Sequence, residues 1–161
     1  MAGADKEEFS PLLPAGFHFL DQTSRQRLCV ERFPDSVTRS RIMKNVEAVI
    51  AQINQQAISG EIWIDGSFLT EKLNPDDADI AFLVSGASFR GLTIAQRSFF
   101  DHFRTTSYYD QFRIDNYGLA IDTDAPAGQW NYAYWLRQFG FSRAEEMKGI
   151  LQIPVPFVVV S

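Results

Sequence analysis

Apolar positions change their period along the chain, and the changes mark its elements. Ile42, Val46, Val49, Ile50, Ile53 and Ala57 recur at helical spacing, which makes one stripe of an amphipathic helix. Asp35 or Ser36 can open this helix, which runs to about Ile58 before Ser59-Gly60 stops it. A shorter helix precedes it, capped by Asp21 or Thr23 and ended after Phe33 by Pro34. The period then falls to two. Glu61 to Ile64 sets Ile62 and Ile64 on one face of a strand and Trp63 on the other.

After a polar turn, Asp77 to Val84 forms a second strand, and its apolar run Ile80 to Val84 predicts burial on both faces. Ser88 to about Arg104 reads as a helix burying Leu92, Ala95, Phe99 and Phe103. Gln111 to Ile121 is a further strand region interrupted by Gly118, and Gln129 to Phe139 an aromatic helix stopped by Gly140. Gly149 to Val160 gives one or two strands broken by Pro154 and Pro156, prolines that suit an edge. Upstream, residues 1–10 read as a flexible tail and 11–20 as an extended arm on one domain spanning 11–161. The order predicts an α+β (mixed α/β) fold with a small mixed sheet flanked by helices.

A chain of 161 residues, 45% hydrophobic and rich in Phe, can bury a core without disulfides or structural metal. The net charge of −5 argues against strong duplex DNA binding or attraction to an anionic membrane. The basic residues Arg25, Arg27, Arg32, Arg39, Arg41 and Lys44 are expected on solvated helix faces, with a tRNA-like or protein partner as the alternative. The lone Cys29 reads as a buried small side chain. No signal peptide opens the chain and no apolar run is long enough to span a bilayer, so a cytoplasmic location is expected.

Chemistry concentrates between residues 65 and 80. Asp77 and Asp79, one residue apart on a strand, point to one face and can share a hard divalent cation such as Mg²⁺ or Mn²⁺. Gly66-Ser67 offers a phosphate cradle, because glycine lets the backbone approach closely while N–H groups and the Ser67 hydroxyl donate. Arg137, Arg143 and Lys148 flank the last helix and can neutralise a triphosphate, although surface placement also explains them. Trp130, Tyr134 and Trp135 could stack on a base, but their helical spacing favours core positions. His18 and His102 have no neighbours at zinc-ligand spacing, and Ser67 lacks the frame of a nucleophile elbow.

The arrangement of strand, Gly-Ser, nine residues and Asp-x-Asp resembles the signature of the polymerase-beta-like nucleotidyltransferase superfamily. The runs Ile62 to Thr70, Asn74 to Asp79, Tyr134 to Gly140 and Lys148 to Ile150, with the upstream Leu13 to His18, look like an uncharacterised bacterial nucleotidyltransferase-like family. The chain departs from that pattern at Ala78, where a larger aliphatic residue is usual between the acids. The resemblance implies a third carboxylate on a later strand: Asp115 is the first choice, with Asp122 and Asp110 as weaker candidates. It further implies that Asp115 completes a metal site with Asp77 and Asp79 or takes the proton from the attacking hydroxyl, that a nucleoside triphosphate is held by Gly66, Ser67, Lys148 and Arg137, and that transfer is to a protein or RNA hydroxyl. The alternative is a non-catalytic module that binds a protein partner, antitoxin-like, in a bacterial defence or toxin-antitoxin system.

Overall fold

A computed structural model describes residues 7–159. Five strands form one mixed sheet in the order β1-β5-β2-β3-β4, with β1 at Gly16–His18, β2 at Gly60–Asp65, β3 at Ala78–Ser85, β4 at Ile114–Ile121 and β5 at Gly149–Val155. β2 is antiparallel to both of its neighbours, whereas β4 runs parallel to β3 and β1 parallel to β5. The fold is thus the expected small α+β type. Among the described residues, no helix is long and apolar enough to cross a membrane.

The helices are α1 at Gln22–Gln26, continued by a π-helical turn at Arg27–Glu31, α2 at Arg39–Gln55, α3 at Gly86–Arg90, α4 at Ile94–Thr105, α5 at Tyr109–Phe112 and α6 at Pro126–Gly140. The stripe on α2 meets Ile62, Ile64, Ile80 and Phe82 on one sheet face, where Phe100 and Phe103 of α4 join the same core. On the other face, Phe139 of α6 packs with Trp63, Ala81, Leu83 and Ile150. Trp63 and Ile64 therefore face different cores, as the alternation in β2 requires.

Several boundaries differ from the sequence reading, each for a local reason. The long helix ends at Gln55, where Ala57 takes a left-handed conformation, and Gly60 is already the first residue of β2. The expected 88–104 helix divides in two around Gly91, because Thr93 forms a reciprocal capping box with Gln96 and starts α4 afresh; Ala95 is consequently exposed. Gln111 and Phe112 belong to α5, and β4 begins after Arg113 and passes through Gly118 without interruption. β5 lies inside the sheet, not at its edge. It accommodates Pro154 because β1 pairs only with Gly149 to Leu151, leaving that flank of the strand open beyond them.

The arm becomes the parallel strand β1. Residues 1–6 of the expected tail lie outside the described residues. Glu8 and Ser10 of the same tail are bonded to the body: Glu8 accepts from Ala144 N at 2.7 Å and Ser10 O from Glu71 N at 2.8 Å.

Two of the expected surface cations are interior groups. Arg25 is buried in a forked pair with Glu47, at 2.7 and 2.8 Å, and also donates to Leu20 O. Arg39 is fully buried, and its guanidinium donates to the backbone carbonyls of Cys29, Phe68, Thr70 and Lys72 while lying 3.8 Å from the Phe33 ring centre. Cys29 is buried as expected, and burial pushes its thiol up to about 12.

Candidate functional site

Strand register assembles the acids. Asp65 of β2 pairs with Asp79 of β3, and Asp79 pairs with Asp115 of β4. Direct cross-strand partners share a face, so neighbouring strands present one carboxylate each in a row. The next residues along this face, Trp63, Ala81 and Tyr117, lie beneath α6. Asp77 sits one residue before β3 and, two positions from Asp79, extends the acidic face. Ala78 is fully buried in the opposite core, so its small side chain leaves this face unchanged.

Asp65 was not singled out from the sequence, yet it is the most buried acid of the row. It is 1% exposed; its Oδ1 accepts from Gly66 N at 3.0 Å and lies 3.3 Å from Lys148 Nζ, while its Oδ2 is buried without a hydrogen-bond partner among the described residues. Burial pushes Asp65 up to about 8 against the pull of Lys148. Asp79 rises to about 7, first through burial and then through the charges of Asp77 and Asp115, with Lys148 and Arg143 opposing. The usable sequence signal was an aspartate continuing the Trp63 face directly after the apolar run Ile62 to Ile64.

Gly66 stands at φ +89°, and a Cβ built on it would lie 2.9 Å from the Asp79 carboxyl carbon. Both the backbone angle and the close approach demand glycine. Gly66→Ala is expected to lower stability by about 2 kcal/mol and to push the Asp79 side chain out of place. Urea unfolding and the response of the melting temperature to Mn²⁺ check both parts. Ser67 begins the 3₁₀ turn Ser67–Leu69, and its hydroxyl makes no hydrogen bond among the described residues. The chain after it is fixed by Arg39 through the carbonyls of Phe68, Thr70 and Lys72.

Asp115 is held by the Tyr117 hydroxyl, which donates to its Oδ2 at 2.7 Å; the Tyr117 ring rests against Trp135, with centroids 4.9 Å apart. The weaker candidates are elsewhere. Asp122 follows β4 at its far end and pairs with Arg90 at 3.3 Å, and Asp110 is exposed on α5. Arg137 is exposed and ion-paired with Glu145, whereas Lys148 and Arg143 both act electrostatically on Asp79. The aromatic helix is less buried than its spacing suggests: Trp130 and Tyr134 are exposed, and Trp135 is half-buried. His18 bonds to Pro14 O in the arm, and His102 is exposed on α4.

The row offers hard oxygen donors, a buried carboxylate oxygen without a partner and mutually repelling acids, all of which suit a divalent cation. Among the described residues, no three acidic, histidine or cysteine side chains already converge to hold an ion. Water and phosphate oxygens would therefore complete its coordination, as is usual for Mg²⁺. A cleft of about 460 Å³ opens at the opposite end of β3 and β4, beside Ser59, Leu83, Ser85, Ile121 and Tyr132, away from the acids.

Fold and site together define a small α+β domain with an acidic row beside a glycine turn. Residues 7–154 match the family of unknown function DUF6932, and the chain belongs to that family. No curated protein and no solved structure matches it.

Proposed function

We propose that this chain is a metal-dependent nucleotidyltransferase acting in the cytoplasm. Asp77 and Asp79 would hold Mg²⁺ or Mn²⁺ with Asp115 beside them as the base, and Gly66 and Ser67 would receive the phosphate tail of a nucleoside triphosphate. The observation supporting this reading is the register of Asp79 with Asp115, which brings acids far apart in the chain onto one face beside Gly66. When bound, the cation would neutralise charge on the phosphates.

The protein's own part is positioning and proton handling. The Gly66 turn lets the backbone approach the phosphates, and the unengaged Ser67 hydroxyl can donate to one of their oxygens. Asp115, steadied at Oδ2 by Tyr117, offers Oδ1 to the attacking hydroxyl of a protein or RNA acceptor. That hydroxyl's oxygen forms a bond to the α-phosphorus, its proton passes to Asp115, and the bond to the bridging oxygen breaks to release pyrophosphate. Incubation with α-labelled triphosphates, Mg²⁺ and cell extract is expected to label an acceptor. Labelling that persists in the double variant Asp77→Asn, Asp79→Asn rejects this site.

A non-catalytic partner-binding module, antitoxin-like, is the second reading. It is favoured by the open arrangement of the acids, no three of which converge among the described residues. It predicts stoichiometric co-purification with one protein, unchanged in the same double variant.

A further inference from the structure

The fold brings an ammonium group onto the acidic row. Lys148 lies at the entrance to β5, with a side chain only 15% exposed and its Nζ 3.3 Å from Asp65 Oδ1. Asp65 is the register partner of Asp79, and Lys148 also acts on the Asp79 charge. The second oxygen of Asp65 is buried and unpartnered, so the ammonium leaves acceptor capacity within the row unused. A lysine beside the proposed cation ligands works against them if its position is permanent, because a fixed positive charge opposes a divalent cation.

We propose that Lys148 is a resident counter-ion that changes partners. With the row empty, its ammonium rests against Asp65 and shields Asp79; with a cation and a polyphosphate in place, it turns from the carboxyl groups to the phosphate oxygens. The inference rests on the site reading given above. The flexible four-carbon stem of lysine allows such a swing, and its charge is a compact point that suits either a carboxylate or a phosphate. Asp65 then serves as the parking position that keeps the ammonium near the site, while Arg143 adds positive charge from the exposed loop. Lys148 acts here as a positioning and phosphate-binding residue.

Lys148→Met removes the charge and keeps an apolar stem. It is expected to bind Mn²⁺ alone about tenfold more tightly than the wild type, because the competing cation is gone. Binding of tripolyphosphate in the presence of saturating Mn²⁺ is expected to weaken about tenfold, because the phosphate ligand is gone. Titration calorimetry on the full chain reads both constants, and opposite signs are the signature. A purely structural lysine would shift both in one direction or neither, and either result overturns the proposal. Lys148→Gln, shown to fold by thermal melting in EDTA and then titrated with Mn²⁺ and tripolyphosphate in the same way, serves the same test if the methionine variant does not fold. Failure of the wild type to bind Mn²⁺ rejects the cation site and this inference together. Normal wild-type binding with unchanged constants in the variants rejects the inference alone.

Discussion

Arg39→Met is expected to lower the stability of the folded chain by about 4 kcal/mol. The guanidinium is fully buried and pairs with no carboxylate among the described residues; it is held by the carbonyls of Cys29, Phe68, Thr70 and Lys72. Burial lowers its proton affinity to about 10, which still leaves it charged at neutral pH. Methionine fills much of the volume but strands those carbonyls away from water, each at the cost of an unmade hydrogen bond. Arg39→Lys keeps the charge but not the planar fork, and a single ammonium cannot reach carbonyls on both sides of it. Urea denaturation of both variants should show a lowered midpoint with an unchanged slope. A midpoint within 0.5 kcal/mol of the wild type, expressed as free energy, would show that water replaces the guanidinium without loss. The effect also reaches the site, because the same carbonyls fix the segment that follows Gly66-Ser67.

Stability should fall as the pH rises from about 4 to about 8. Asp65 is raised to about 8, mainly by burial, and Asp79 to about 7, by burial and then by Asp77 and Asp115. Unfolded aspartates titrate near 3.8. Between those values the folded chain binds more protons than the unfolded one, so the slope of stability against pH is negative. Stabilisation from the neutral acids is complete below about 4, declines through the interval, and is gone above about 8. The loss is on the order of 3 kcal/mol, or roughly 10 °C in melting temperature, after allowance for coupling between the acids. Melting in EDTA at pH 5 and pH 8 measures it. Asp65→Asn should flatten the upper part of the curve, since the buried group then carries no proton to lose. Excess Mn²⁺ at pH 8 should recover part of the loss by binding the folded row alone. A melting temperature that is level or rises over this range would contradict the burial of Asp65 as an acid without full compensation.

The chemically telling residues were legible in unequal measure. Asp77, Asp79 and Gly66 could be read because their signals are local: an alternation that sets two acids on one side, and a glycine where a strand ends. Asp115 was reached through resemblance, and the register of β3 with β4 now gives it a physical place beside Asp79. Asp122 was an equally ordinary strand-end acid, and only topology separates the two. It follows β4 at the end where Ser85 pairs with Ile121, remote from the Ala78 end. Lys148 could be recognised as a cation able to meet phosphate, but its pairing with Asp65 joins segments far apart in the chain. The exposure of Trp130 and Tyr134 was missed because helical spacing reports periodicity, not which turns of α6 overhang the sheet.

By itself, the amino-acid order determined the α+β class, the stripe of α2, the two-faced alternation of β2 and the glycine-plus-aspartate chemistry. Each of these follows from rules that act over a few residues: side-chain direction, capping and backbone freedom. Tertiary structure alone decided that β5 runs inside the sheet despite Pro154, that Arg39 is an interior clamp, and that Asp65, Asp79 and Asp115 stand in one row. Those outcomes depend on strand order and register, which are fixed by how whole faces bury against α2, α4 and α6 and are not encoded in any short stretch of sequence.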